Sequence, residues 1–368
     1  MKFGLFYLFS DFGNISQDQV FHEVLEEIEY AEELGFDSVW IPEHHFAVYG
    51  MMGNPLVMAA AIAQRTHRMK IGTAVMVLPL QHPLRVAEDA ALVDALSEGR
   101  LLLGLGRGYQ PPEFHGFGVP QHASREMFLE GFEILKRALS GEKFTYDGQF
   151  WKIQEPTEIF PKPIQKPHPP FYFAGISPAS YEIAARLGVS LLRSPQFSNL
   201  DTVVKAFDDY KSQMRVFGHD PDVLDQPLSV RTFVAPTDEE ARAEAKHVVW
   251  FYHLLATLLP GAPGRPKPAG YENYARDPSF LSQITVDDVW ERGTCFGSPE
   301  RVIELMKLYL RKTGATHWMA QMRIGGLEHK KVLRSMELFA KYVIPALKAE
   351  ERQLAPVRKE TAGPLATR

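Results

Sequence analysis

The sequence predicts an α/β fold, a single (β/α)8 barrel of the TIM type, and three observations carry that prediction. Apolar runs of strand length alternate with stretches of helical period about eight times along the 368 residues. The inner runs, residues 39–41, 70–78 and 101–105, are almost continuously apolar, as parallel strands covered on both faces require. Residues able to do chemistry follow directly after such runs, at the carboxyl ends where barrels of this kind place their active sites.

Residues 3–8 read as the first strand; the run is short for an export signal, meets Asp11 and lacks a small-residue cleavage site. Val20, Val24, Leu25, Ile28, Ala31 and Leu34 then recur at helical spacing, and Gly35 closes that helix. Residues 39–41 form the second strand and lead into Glu43-His44-His45. Asn54-Pro55 pairs a capping residue with a proline at the first helical position, ahead of an Ala-rich helix over 56–65. The third strand is expected over 70–78, a helix over 83–96, the fourth strand over 101–105 and the fourth helix over 124–139. Asp147-Gly148 between aromatic-rich segments then signals a small hairpin inserted after that helix.

Beyond a Pro-rich connector at 161–170, strands at 171–174, 189–192 and 228–235 alternate with helices from Pro178, over 200–217 and from Asp238. The stretch 260–270 is too rich in proline and glycine for helix or central strand, and regularity is expected to resume only near Ser298-Pro299. Residues 258–297 are therefore predicted to be a variable insertion between strands seven and eight, either a lid over the active-site end, which its place after a barrel strand favours, or a disordered surface insertion. A helix at 300–312, the eighth strand at 316–322 and a last helix at 327–347 complete a barrel domain of residues 1–348, with 349–368 as a flexible tail.

Composition narrows the function. A net charge of -5 without a Lys/Arg-rich run argues against nucleic acid. No apolar run approaches the roughly 18 residues of a membrane span, and the one cysteine, Cys295, excludes internal disulfides and Cys-rich metal sites. A soluble cytoplasmic protein is the expectation.

Gly104-Leu105-Gly106-Arg107-Gly108 lacks the spacing of a dinucleotide fingerprint, and Pro111-Pro112 stands where that motif needs a continuing helix. What remains is Arg107 among glycines at a strand end, suited to a phosphate or to a carboxylate at the barrel rim. In Ser177-Pro178-Ala179-Ser180, cap, first-turn proline and second serine start a helix whose N-H groups and hydroxyls can face an anion or serve as ordinary capping. Strands four and five are neighbours in a barrel, so Arg107 and this helix start can grip one phosphate. Adjacent histidines on extended chain point in opposite directions and no H-x-x-x-H pair accompanies them, so no metal is expected. His44 suits proton transfer near neutrality, His45 reads as a core histidine, and Glu43 as support. His82, His115 and His122 are assigned to loops or surface, and Trp250, Phe251 and Tyr252 to helix packing.

Together, Met1-Lys2-Phe3-Gly4, Phe36-Asp37, Trp40, Glu43-His44-His45-Phe46, Gly72-Thr73, His82-Pro83-Leu84-Arg85, Ser97-Glu98-Gly99-Arg100, Gly106-Arg107-Gly108 and Val343-Ile344-Pro345 resemble the bacterial luciferase-like flavin-dependent monooxygenases. The resemblance runs from residue 1 to about 348 and is weakest over 255–295. It implies a two-component enzyme in which reduced FMN, delivered by a separate NAD(P)H:flavin reductase, reacts with O2 to a flavin C4a-(hydro)peroxide that oxygenates a small organic substrate. It also implies that Arg107, Ser177 and Ser180 hold the FMN phosphate, with Gly175 and Ile176 near the phosphate and ribityl chain. Ala74 and Val75 would underlie the isoalloxazine, Tyr109 would belong to the same cofactor site, and His44 would be the catalytic histidine beside His45 and Glu43. Gly106 stands where the luciferases have a cysteine, so light emission and a long-chain aldehyde are not implied. The family further implies homodimers through the helices after strands two and three, where Ala59, Ala60, Ala61, Ala63, Ala87, Ala90 and Ala91 would permit close approach. Two alternatives share the barrel: an F420-dependent hydride-transfer oxidoreductase and a non-catalytic flavin-binding subunit.

Overall fold

The computed structural model describes residues 1–195, 199–271, 278–291 and 293–354. Its strands are β1 (Lys2–Phe6), β2 (Ser38–Ile41), β3 (Lys70–Thr73), β4 (Met76–Val77), β5 (Leu101–Gly106), β6 (Phe144–Asp147), β7 (Lys152–Thr157), β8 (Phe171–Ala174), β9 (Ser190–Leu192), β10 (Pro227–Val234), β11 (Thr294–Gly297) and β12 (His317–Gln321). All but β6 and β7 join one parallel sheet in the order β11-β10-β12-β1-β2-β3-β5-β8-β9, with β4 paired to β5. An Arg193–Leu228 bridge brings the end of β9 to β10, so the sheet curls back on itself, consistent with a TIM-type barrel.

The major helices after the strands are α1 (Gln17–Leu34), α2 (Pro55–Ala63), α3 (Pro83–Leu96), α4 (Pro111–Phe117), α5 (Ser124–Leu139), α6 (Pro178–Leu187), α7 (Leu200–Val216), α8 (Asp238–Ala243), α9 (Lys246–Leu258), α10 (Val286–Glu291), α11 (Pro299–Thr313), α12 (His329–Leu338) and α13 (Ile344–Leu354). Their starts follow from local chemistry. Asn54 Oδ1 accepts the N-H groups of Leu56 and Val57, Ser298 caps α11 and Thr237 caps α8. None of the described helices is long and apolar enough to cross a membrane.

Two apolar layers result. One, between sheet and helices, includes Phe3, Leu5, Val39, Ile71 and Leu103. The other, Trp40, Leu102, Tyr172, Leu192 and Met319, comes from five different strands and fills the inside of the curl. Below it lies a polar chain: Trp40 Nε1 donates to Ser38 Oγ at 2.9 Å, Ser38 Oγ is 2.8 Å from His317 Nε2, and His317 Nδ1 is 2.8 Å from Asp225 Oδ2. Burial alone would push the Asp225 carboxyl up, but hydrogen bonding and charge from His317, with Lys2 and Thr316, hold it well below the usual carboxylate range.

Several expectations need correction. The strand expected over 70–78 stops at Thr73 and resumes at Met76, with a cis Ala74–Val75 peptide between. Thr73 explains the break: its hydroxyl donates to Gly104 O at 2.7 Å and accepts from Gly104 N at 2.9 Å, replacing the backbone ladder with β5. No helix continues from the glycine loop, and a short helix not expected from the sequence, α4, starts at Pro111-Pro112, where a first-turn proline forfeits no helical N-H bond. The 258–297 stretch contains α10 and β11, the latter pairing with β10 along Arg231–Val234, so regular structure resumes before Ser298. The final helix turns through a π segment, Phe339–Val343, and extends to Leu354, past the point where a tail was expected; residues 355–368 of that expected tail lie outside the described residues. Ala59, Ala63, Ala87, Ala90 and Ala91 are buried within the chain, where they let α2 and α3 approach the sheet and each other.

Candidate active site

Above the inner apolar layer, at the carboxyl ends of the strands, is a cavity of about 750 Å³, large enough for a cofactor-sized ligand. Glu43, His44, Ala74, Val75, Arg107, Tyr109, Gly175, Ile176, Ser177 and Ser180 all line it. His45 does not; its ring is 3.0 Å from Glu43 Oε1 and packs edge-on against Phe117 at 4.7 Å.

Glu43 works as a brace. Its carboxylate accepts the N-H of Val77 at 2.8 Å and the amide of Gln81 at 3.2 Å, tying the end of β2 to β4. Burial raises its pKa, and the His45 and Val77 bonds oppose that rise.

His44 is held by a residue that the sequence analysis missed. Its Nδ1 lies 2.9 Å from Glu113 Oε1, on α4, and 3.0 Å from Gln110 Nε2. An ionised carboxylate only accepts, so Nδ1 must carry the proton; Nδ1 then cannot also accept from an amide N-H. Gln110 Oε1 is buried without a partner, and turning that amide over lets its oxygen share the Nδ1 proton, a choice the hydrogen-bond network decides. The tautomer follows: Nδ1 protonated, Nε2 left to accept or deliver a proton. Tyr49 packs 4.7 Å from His44, and burial pushes the Tyr49 phenol up to about 12, so it stays a neutral wall at ordinary pH.

The cavity lining also carries three arginines, Arg107, Arg125 and Arg193, beside the carboxylates Glu43, Glu113 and Glu126. The buried Nε of Arg107 has no partner, and its guanidinium lies 5.0 Å over the ring of Tyr271, with no carboxylate paired to it among the described residues. The Ser177 and Ser180 hydroxyls are 3.0 Å apart at the start of α6, where the Ser180 N-H donates back to Ser177 and Pro178 has none, so the Ala179 N-H is the first-turn amide left for a ligand. His122, exposed in a short turn before α5 as expected, also borders this cavity. No sequence signal marked Arg193, whose Nη1 donates to Gly175 O at 2.8 Å from the end of β9.

Part of the expected lid is present as a wall. Ala269, Gly270 and Tyr271 line the cavity, and Tyr271 donates to Gly108 O at 2.8 Å while contacting Ser124 Oγ at 3.0 Å. Residues 272–277 of that segment lie outside the described residues. The aromatic run on α9 is packed as expected, yet Phe251 backs the cavity through Tyr49 at 5.1 Å.

The group that fits is an elongated one with an anionic end. The unpartnered Nε of Arg107 and a helix start mark the anion's place, while Gly106 of β5 adds no side chain to the wall beside Val75. A Cβ at Gly106 would sit 2.5 Å from Val75 Cγ2, so valine occupies the space that a larger residue there would need.

A sequence family described as luciferase-like monooxygenase matches residues 1–317. The alpha chain of alkanal monooxygenase from Photorhabdus laumondii subsp. laumondii is 28% identical over 96% of this chain and 100% of its own. The oxygenase component of a flavin-dependent trigonelline monooxygenase from Acinetobacter baylyi is 26% identical over 90% and 91%. Among solved structures, monooxygenase RslO1 from Streptomyces bottropensis superposes with a TM-score of 0.81 at 28% identity, covering 94% of this chain and 100% of that one. The FMN complex of the oxygenating constituent of 3,6-diketocamphane monooxygenase from Pseudomonas putida (TM-score 0.76, 22% identity, 94% and 98% covered) shares the fold. So does an F420-dependent secondary alcohol dehydrogenase (0.74, 18%, 94% and 98%).

Proposed function

The chain belongs to the luciferase-like monooxygenase family, and from that premise we propose that it is the oxygenase of a two-component system that uses reduced FMN and O2 to oxygenate a small organic substrate. The single observation that carries the proposal is that one cavity is lined by Arg107, whose buried Nε has no partner, by the α6 helix start, and by a His44 whose tautomer Glu113 sets. Bound reduced flavin would supply the electrons that activate O2 for transfer to the substrate.

Everything else falls to the chain's own residues. Arg107, Arg125, Ser177 and Ser180 hold the phosphate, and Gly175 and Ile176 lie against the chain leading from it. Ala74, Val75 and Gly106 form the floor for the ring system, and Tyr109 and Tyr271 close the side toward solvent. His44 Nε2 moves a proton at the reacting oxygen or the substrate, while Glu113 keeps the opposite nitrogen occupied. A separate NAD(P)H:flavin reductase supplies the reduced cofactor, as the word "component" in the trigonelline enzyme's name supports for that relative. The finer architecture, eight strand-helix units with a hairpin and a lid inserted, and a homodimer through the outer faces of α2 and α3, where Val57, Leu92 and Leu96 are exposed, belong to the same proposal.

The F420 reading rests on shared fold alone. Anaerobic titration of the protein with reduced FMN and with reduced F420 decides between them: tight binding of reduced FMN, weakened about ten-fold or more in Arg107→Ala, is expected, and binding of F420 with indifference to FMN would overturn the proposal.

A further inference from the structure

Arg231, on β10, has no part in the chemistry proposed above. It is 1% exposed and lies two residues beyond Ser229 on the same face of the strand, in register with Gln321 of β12; Ser229 and Gln321 both line the cavity. Its Nη1 donates to the Tyr252 hydroxyl at 2.8 Å, and its guanidinium carbon lies 4.3 Å and 4.5 Å from the ring centres of Phe251 and Tyr252. Its Nε and Nη2 are buried without a partner, and no carboxylate pairs with it among the described residues. Gln321 donates to Ser229 Oγ at 2.9 Å and leaves its own Oε1 without a partner.

The chemistry of the vacant atoms is specific. Nε and Nη2 are the two nitrogens on one edge of a guanidinium, whose parallel N-H bonds match the two oxygens of a carboxylate. Aromatic rings offset part of the cost of burying the charge but accept no strong hydrogen bond. A cation held in the barrel with its fork empty is expected to receive an anion from outside. Arg231 itself does not line the cavity; its neighbours Ser229 on β10 and Gln321 on β12 do, which places it directly behind that stretch of the wall.

We propose that the substrate is an organic carboxylate, received side-on by Nε and Nη2 of Arg231. This deepens the oxygenase proposal by naming the substrate class and rests on it for the reaction, although its test needs no flavin. Flavin-free protein is titrated calorimetrically with benzoate, phenylacetate, cyclohexanecarboxylate and octanoate, and with the carboxamide of each. At least one acid is expected to bind about ten-fold or more tightly than its amide. That preference should vanish in Arg231→Met, survive in part in Arg231→Lys and persist in Arg107→Ala. Acids that bind no better than their amides in the wild type overturn the proposal, as does a preference that survives Arg231→Met or disappears in Arg107→Ala, which would place the carboxylate at the phosphate end. Should Arg231→Met fail to fold by circular dichroism, the wild-type comparison with Arg231→Lys and Arg107→Ala decides. Failure of the oxygenase proposal appears separately, as absent binding of reduced FMN, and leaves these titrations readable.

Discussion

Glu113→Gln separates the position of His44 from its protonation. The amide keeps the side chain's shape but can offer an N-H to Nδ1, which reverses the tautomer and takes the free lone pair away from the cavity. Oxygenation kcat is expected to fall by about 10²-fold, with the dissociation constant for FMN unchanged, as stopped-flow and equilibrium titration would measure. His44→Ala should bind FMN equally well and lose about 10²- to 10⁴-fold in rate. His44 itself was legible in the sequence, through its place in a recognisable motif after a strand. Glu113 and Gln110 were not, because a buried polar partner on a short helix carries no periodic signal and the contact spans 69 residues. Arg231 was equally hidden: its orphaned edge exists only once β10, β12 and α9 are packed together.

Among the elements, the β3–β4 break and β5 form one unit. Gly104 has no room for a side chain because a Cβ would fall 2.0 Å from Thr73 O, and at Gly106 the obstacle is Val75. Gly106→Cys is therefore expected to destabilise by about 1–3 kcal/mol through overpacking, and adding Val75→Ala should restore most of the loss in a urea melt. If Gly106→Cys alone is neutral, Val75 is not what fills that space. Strand-helix alternation made most of the barrel readable. It failed for β11, four residues between a glycine and a serine-proline helix start, and for α4, a seven-residue helix opened by two prolines and too short to show a helical period.

For the molecule as a whole, the polar chain beneath the inner layer links β2, β12 and the loop before β10, so it fastens the barrel's lower end. Asp225 has a depressed carboxyl pKa, so its stabilisation is fully present above the unfolded value near pH 4, about the ordinary carboxylate pKa, and is lost as pH falls toward the folded value. Asp225→Asn is expected to cost about 2–4 kcal/mol at neutral pH and to flatten the stability profile below about pH 4, by thermal melts across pH. The exposed Val57, Leu92 and Leu96 bear on assembly: Leu92→Glu with Val57→Glu should convert a dimer to monomer in light scattering, and a wild-type monomer would refute the dimer. Assembly was read in the sequence from the alanines of α2 and α3, most of which are spent inside the chain, because small residues serve internal and external packing alike.

The central claim is that this cavity holds reduced FMN and governs its reaction with O2. Reduced FMN bound anaerobically to the protein is mixed with oxygenated buffer, and the return of the oxidised-flavin absorbance is followed against free flavin. A delayed return is expected in the wild type, a delay with altered decay in His44→Ala, and a trace near that of free flavin in Arg107→Ala. A wild-type trace that coincides with free flavin would contradict that claim.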